Sequence, residues 1–140
     1  MNYVLGFIFD DCKSQVALIK KNRPEWQAGY FNGIGGKIEK GELAIEAMQR
    51  ECEEESGLSN LSWKHIGYMQ GKDWHVTIYV SFDNDLSLIE SKKDERIEIH
   101  YVEDILTHKV KTISNLPWII SFILDKSNNP DLNSISVRYQ

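Results

Sequence analysis

Cysteine is scarce in this chain, with two residues, Cys12 and Cys52, among 140. Two are too few for a disulfide framework, they sit in no metal-ligand spacing, and a reducing cytoplasmic setting fits that usage. Long apolar runs are also missing: Tyr3–Phe9 and Trp118–Leu124 span seven residues each, against the ~20 that a membrane helix needs. A secretory leader is not expected either, because no basic segment precedes the first run and Asp10 and Asp11 follow where small residues would mark cleavage. Positive charge is in short supply. Sixteen Lys and Arg against 21 Asp and Glu leave a net charge of −5, with no basic stripe to displace counterions from long nucleic acid. A small, phosphate-rich ligand stays compatible with that balance if a cation mediates. What is present, 41% apolar residues in 140, describes one soluble domain over 1–140 with a single core, in which 126–140 are expected as a partly ordered tail.

Segments rich in β-branched and aromatic residues predict strands over Tyr3–Phe9, Gln15–Lys20, Tyr30–Ile34, Leu61–Gln70, His75–Phe82 and Ile97–Val102. Strong helix formers from about Glu42 to Ser56, closed by Gly57 as a left-handed cap, predict one helix. Ser114–Asp125, with Pro117 in its first turn, predicts another. Strands interleaved with two helices imply a mixed α/β or α+β class.

The first helix carries Glu51, Glu53, Glu54 and Glu55 within five residues, a concentration of like charge that destabilises a helix unaided. At ~100° per residue, Glu51, Glu54 and Glu55 share one arc, and Ala44, Ile45, Met48 and Cys52 continue round from it toward the face that must pack. An ordinary pair of glutamates so spaced is a solvated helix face. Grouped carboxylates at a core boundary are instead what hard cations such as Mg²⁺ or Mn²⁺ bind, since oxygen ligands suit them and the metal removes the repulsion.

More than a charged face is present. Gly36, Glu42, Arg50, Glu51, Cys52, Glu54, Glu55, Gly57 and Leu58 spell G-x5-E-x7-R-E-U-x-E-E-x-G-U, with U apolar. The chance of that pattern from average residue usage is on the order of 10⁻⁸ or lower. The segment resembles the Nudix box, complete at every defined position. The resemblance implies a Nudix-like α/β/α sandwich with a mixed sheet between helices. It also implies Mg²⁺, with Mn²⁺ as a substitute, held by Glu51, Glu54, Glu55 and a carbonyl of the glycine pair, taken as Gly35. Arg50 is then expected to orient Glu51, and Glu42 to make a structural pairing. Glu51 or Glu54 is the carboxylate expected to deprotonate or orient the attacking water. A further metal-binding acid is expected from a later loop, with Glu95 favoured over Glu98.

The reaction so implied is attack of an activated water on a phosphoanhydride. Tyr30-Phe31-Asn32-Gly33-Ile34-Gly35-Gly36-Lys37 is similar to the W-N-G-F-G-G-K stretch of the oxidised-purine nucleoside triphosphatase subgroup. That likeness makes Asn32 a base contact and Trp26 a stacking surface, although Asn-Gly is also a common turn pair. Lys20, Lys21 or Arg23 would steady the triphosphate, with Lys20 taken for the site. Where those enzymes read the base with an acidic pair, this chain has Ser114-Asn115, making Asn115 the substitute. The implied activity is hydrolysis of a nucleoside triphosphate, with an oxidised or non-standard purine, to the monophosphate and pyrophosphate, in nucleotide pool sanitation. ADP-ribose, dinucleotide cofactors or dinucleoside polyphosphates are alternative substrates, and a non-catalytic nucleotide-binding module is a further reading. Monomer and homodimer both fit.

Other motifs fail on spacing. Gly33–Lys37 is no P-loop, because Ile38 stands where a Ser or Thr would meet the metal. His65, His75, His100 and His108 form no zinc signature. Neither thiol has a histidine nearby in sequence to activate it.

Overall fold

The structure, a computed structural model, describes residues 1–140. Eight strands, β1 (Asn2–Phe9), β2 (Gln15–Lys20), β3 (Phe31–Asn32), β4 (Ile34–Lys37), β5 (Lys64–Gln70), β6 (His75–Ser81), β7 (Ile97–Tyr101) and β8 (Ile135–Arg138), form one mixed sheet. Three helices, α1 (Ala44–Ser56), α2 (Val102–Leu106) and α3 (Leu116–Asn128), cover it.

β1 organises the sheet because it is buried on both faces from Val4 to Phe9, as an unbroken apolar run demands. It pairs in parallel with β6, and antiparallel with β4 through Tyr3–Gly6 and with β2 through Ile8 and Phe9. The sheet therefore forks along β1. β2 continues to β3 and β7, while β6 continues to β5 and then β8. Alternation along β1 splits the core in two. Leu5, Phe7 and Phe9 pack with Val102, Ile105, Leu116, Ile119 and Ile123 of α2 and α3. Val4 and Ile8 pack with Ala47, Met48 and Cys52 of α1. At Gly6 a Cβ would stand 2.6 Å from Met48 Sδ, so α1 lies directly on the β1 backbone. Truncating Met48 to Ala would cost about 2–5 kcal/mol. The result is the expected α/β/α sandwich, and no helix is long and apolar enough to cross a membrane.

Several boundaries differ from expectation for physical reasons. α1 starts at Ala44, not Glu42, because Glu42 closes the preceding turn by accepting from the Glu39 amide at 3.0 Å and Leu43 is extended. The strand expected over 30–34 is two strands split at Gly33, where a Cβ would lie 2.9 Å from Gly6 O and from Leu5 and Phe7 side-chain carbons. Val102 opens α2 instead of ending β7, and α3 runs on to Asn128. Residues 126–140, expected as a partly ordered tail, hold the end of α3 and strand β8 on β5.

Candidate active site

α1 is held in one rotational setting by its ends. The Leu43 amide donates to Glu46 Oε1 at 2.8 Å, and Gly57 adopts φ +78° to cap the C-terminus onto Glu53 O at 2.9 Å. With Met48 and Cys52 turned to the core, the acidic residues grade outward. Glu55 is buried, Glu51 keeps 12% of its side chain exposed and Glu54 keeps 42%.

Arg50 binds that set together. Its Nε and Nη2 donate to the two oxygens of Glu42 at 2.8 and 3.0 Å, a bidentate fork. Nη1 donates to Glu51 Oε1 at 2.9 Å and to Glu54 Oε2 at 3.4 Å, and Nη2 also reaches Lys37 O at 3.0 Å. The hydrogen bond to Glu42, with Glu51 next, holds the guanidinium above its ordinary value despite partial burial, and Arg50 pulls the Glu42 carboxyl down.

The Glu51 and Glu55 carboxyls are neighbours on one face of α1. Burial, then the Glu51 carboxyl beside it, pushes Glu55 up to about 8, against opposing pulls from Lys21 and Lys93. Such a pair holds a proton more readily than a lone carboxyl does. Gly36 makes room: a Cβ there would stand 2.5 Å from Glu51 Oε1. A glycine cradle and paired carboxylate oxygens at a core edge suit a hard divalent cation. Glu54 is turned outward, to Arg50 and to Lys93 Nζ at 3.3 Å.

The same glycine segment walls a cavity of about 460 Å³. Trp26, Asn32, Gly35 and Asn115 line it together, as do Lys21, Gln27, Met69, Trp74 and Ile113. Lys20 does not line it; one step along β2 reverses the side-chain direction, and Lys21 faces the cavity instead. Asn32 is braced, its Oδ1 accepting from the Gly33 amide at 2.8 Å and its Nδ2 donating to Gln27 Oε1 at 3.2 Å. Trp26 is 68% exposed on the rim. Asn115 Nδ2 donates to Met69 Sδ at 3.4 Å and to Tyr139 Oη at 3.3 Å. Met69 and Trp74 arrive from the β5–β6 hairpin and carry no sequence signal that would mark them as pocket residues.

Glu95 is buried, but its oxygens are engaged by Lys21 Nζ at 3.1 Å and the amides of Asn22 at 2.6 Å and Arg23 at 3.4 Å. Burial alone would raise its carboxyl; the Asn22 amide and Lys21 more than offset this and hold it below its ordinary value. Glu98 pairs with Arg96 at 3.1 Å and sits 3.6 Å from His100.

Other clusters serve local structure. Asp10, Asp11 and Cys12 bring ligand-type atoms within 4.8 Å of one another, yet Asp10 serves the β1–β2 turn by accepting from Ser14 and Gln15 amides. A cavity of about 670 Å³ at the other end of the sheet, lined by Lys13, Lys64 and Lys126, contains none of the α1 acids. Cys52 is buried, and that burial pushes its thiol up.

Known proteins share this fold. The family model for the NUDIX domain matches residues 2–119. The oxidized purine nucleoside triphosphate hydrolase of Mus musculus is 33% identical over 70 residues, covering 44% of this chain and 45% of the relative. The Danio rerio protein of the same name is 39% identical over 57 residues, covering 35% and 36%. The chain thus spans less than half the length of the curated relatives it matches. Among solved structures, a MutT from work on Aliivibrio salmonicida and Vibrio cholerae superposes with TM-score 0.73 at 20% identity, covering 89% of this chain and 97% of that one. The NUDIX domain of Shewanella oneidensis NrtR, complexed with ADP ribose, gives TM-score 0.76 at 11% identity, covering 91% and 88%.

Proposed function

The chain belongs to the NUDIX family, and from that premise we propose that it is a Mg²⁺-dependent pyrophosphohydrolase that splits a nucleoside triphosphate into the monophosphate and pyrophosphate. The observation that carries the reading is Arg50, whose fork on Glu42 fixes Glu51 beside Glu55. These carboxylates border the glycine wall of a cavity that holds Trp26, Asn32 and Asn115. The oxidized-purine relatives support a purine nucleotide, and the carboxamides of Asn32 and Asn115, which line the cavity, are the groups we assign to the base.

Glu51, Glu54 and Glu55, with the Gly35 carbonyl, would hold the cation. Bound there, it would neutralise phosphate oxygens and acidify a water. The protein's own contribution is positional. Arg50 occupies Oε1 of Glu51 and would leave Oε2 for the cation. Glu54, the more solvent-accessible acid, takes or directs the proton of the attacking water. Lys21, placed between Glu95 and the cavity, offers the positive charge for the phosphate chain. Trp26 supplies a face for the base, Asn32 and Asn115 its hydrogen bonds. Clearing non-standard nucleotides is the role that this substrate class supports, in the cytoplasmic setting that the cysteine usage fits.

The test is a panel of ordinary and oxidised nucleoside triphosphates, ADP-ribose and dinucleoside polyphosphates with Mg²⁺, scored by kcat/KM and by the leaving phosphate. Pyrophosphate release from purine triphosphates supports the proposal. Preference for ADP-ribose, or nucleotide binding without turnover, replaces it.

A further inference from the structure

Asn115 occupies the N-cap position of α3, where an asparagine side chain ordinarily accepts from the helix's first amides, yet it makes no such bond. Its side chain turns instead to Met69 Sδ and Tyr139 Oη, and both contacts fall on Nδ2. A thioether sulfur accepts hydrogen bonds and cannot donate one. The amide nitrogen therefore faces Met69 and Tyr139, and no protein donor reaches Oδ1. Tyr139 is placed by strand pairing: its amide donates to Gln70 O at 2.8 Å, and its ring packs on Trp74 at 5.6 Å between centroids. Trp74 and Asn115 line the cavity; Tyr139 stands behind both.

We infer that Tyr139, at the end of β8, is a positioning residue that locks the Asn115 carboxamide with its oxygen as an acceptor-only reader, so that the pocket selects bases presenting a hydrogen-bond donor. This rests on the nucleotide-pocket reading above and adds a rule to it. A neutral amide free to flip would accept from one base and donate to another with little preference. An amide pinned through its nitrogen discriminates, because a base acceptor set against Oδ1 is left unsatisfied.

The test compares the wild type, Tyr139→Phe, and Tyr139→Phe combined with Asn115→Asp. Tyr139→Phe keeps the ring on Trp74 and removes only the hydroxyl. Aspartate is acceptor-only in either orientation and needs no tyrosine to set it. Binding of adenosine, guanosine and inosine monophosphates and of 8-oxoguanosine monophosphate is measured by calorimetry, and kcat and KM of the triphosphates alongside. These bases differ in whether an edge position donates or accepts.

The wild type is expected to favour the donor-bearing member of at least one pair by about tenfold. Tyr139→Phe should bring that ratio close to one through KM with kcat unchanged, and Asn115→Asp should restore it. A wild type without preference, a ratio unmoved by Tyr139→Phe, or failure of the aspartate to restore it overturns the inference. If the monophosphates bind with the expected preferences while no triphosphate is cleaved, the hydrolase proposal falls and this one stands. If triphosphates are cleaved without discrimination, this one falls and the hydrolase proposal stands. No binding of any nucleotide removes both.

Discussion

Arg50 and Glu42 meet in a two-point fork, 2.8 Å from Nε and 3.0 Å from Nη2, eight positions apart, between the turn that precedes α1 and the middle of that helix. The fork commits two donors to the turn before α1 and directs a third, Nη1, onto Glu51 at 2.9 Å. One guanidinium thus ties the loop's shape to the orientation of the Glu51 carboxylate. A single ammonium cannot do both, because it lacks the planar array.

Arg50→Lys is therefore expected to fold and to lose catalysis. We expect kcat to fall by about two orders of magnitude with a smaller change in KM, and stability to fall by about 1–3 kcal/mol. Steady-state kinetics beside thermal unfolding checks this. A variant with wild-type kcat would separate Arg50 from the chemistry.

Gly36→Ala places a methyl 2.5 Å from Glu51 Oε1. The obstacle is the far end of a side chain, so the fold should accommodate it while Glu51 swings away from Glu55. The expected outcome is a near-native circular dichroism spectrum with Mg²⁺ affinity reduced at least about tenfold, the scale seen when a ligand's supporting contacts are removed.

Glu55 carries a pH dependence whose sign follows from its burial. Its carboxyl is raised from 4.5 to about 8 in the folded chain, so the folded state binds the extra proton. Without metal, the stability contributed by this group is full below about 4.5 and is lost as pH rises toward 8. Mg²⁺ takes the proton's place, so it should raise Tm most at the alkaline end and its binding should release protons. Glu55→Gln should flatten the metal-free profile between those limits. Thermal unfolding from pH 4 to 9, with and without Mg²⁺, reads all three.

Glu95 gives a way to tell a loop anchor from a metal ligand. Its oxygens hold Lys21 and the amides of Asn22 and Arg23, which shape the rim beside Trp26. Glu95→Gln should raise nucleotide KM about tenfold and leave Mg²⁺ affinity in the absence of nucleotide within about twofold. A parallel collapse of Mg²⁺ affinity would make Glu95 a cation ligand.

The box was legible because its chemistry is local. Carboxylates on one helical arc, their arginine and the capping glycine recur at fixed steps along one helix and its lead-in, and those steps survive in one dimension. The α/β class followed from strands interleaved with helices and the sandwich from the resemblance, while the alternation that sends Leu5 and Phe7 one way and Val4 and Ile8 the other emerged only in the folded chain. The rest of the pocket is written in long-range pairing. Trp74 and Met69 reach it through a hairpin, and Tyr139 reaches Asn115 and Trp74 from beyond a parallel strand on β5, none of which leaves a spacing to read. Lys20 and Lys21 differ by one residue at a strand end, where a single step of register selects the face. The five-residue α2 hides behind a β-like run ending in Val102.

The decisive measurement is the stoichiometry of pyrophosphate and nucleoside monophosphate formed from a purine nucleoside triphosphate with Mg²⁺, by the wild type and by folded Glu54→Gln. A metal-assisted pyrophosphohydrolase yields one of each per turnover, with a rate reduced by orders of magnitude in the variant. Orthophosphate as the product, no cleavage by the wild type with Mg²⁺ or Mn²⁺, or a variant as fast as the parent would contradict it.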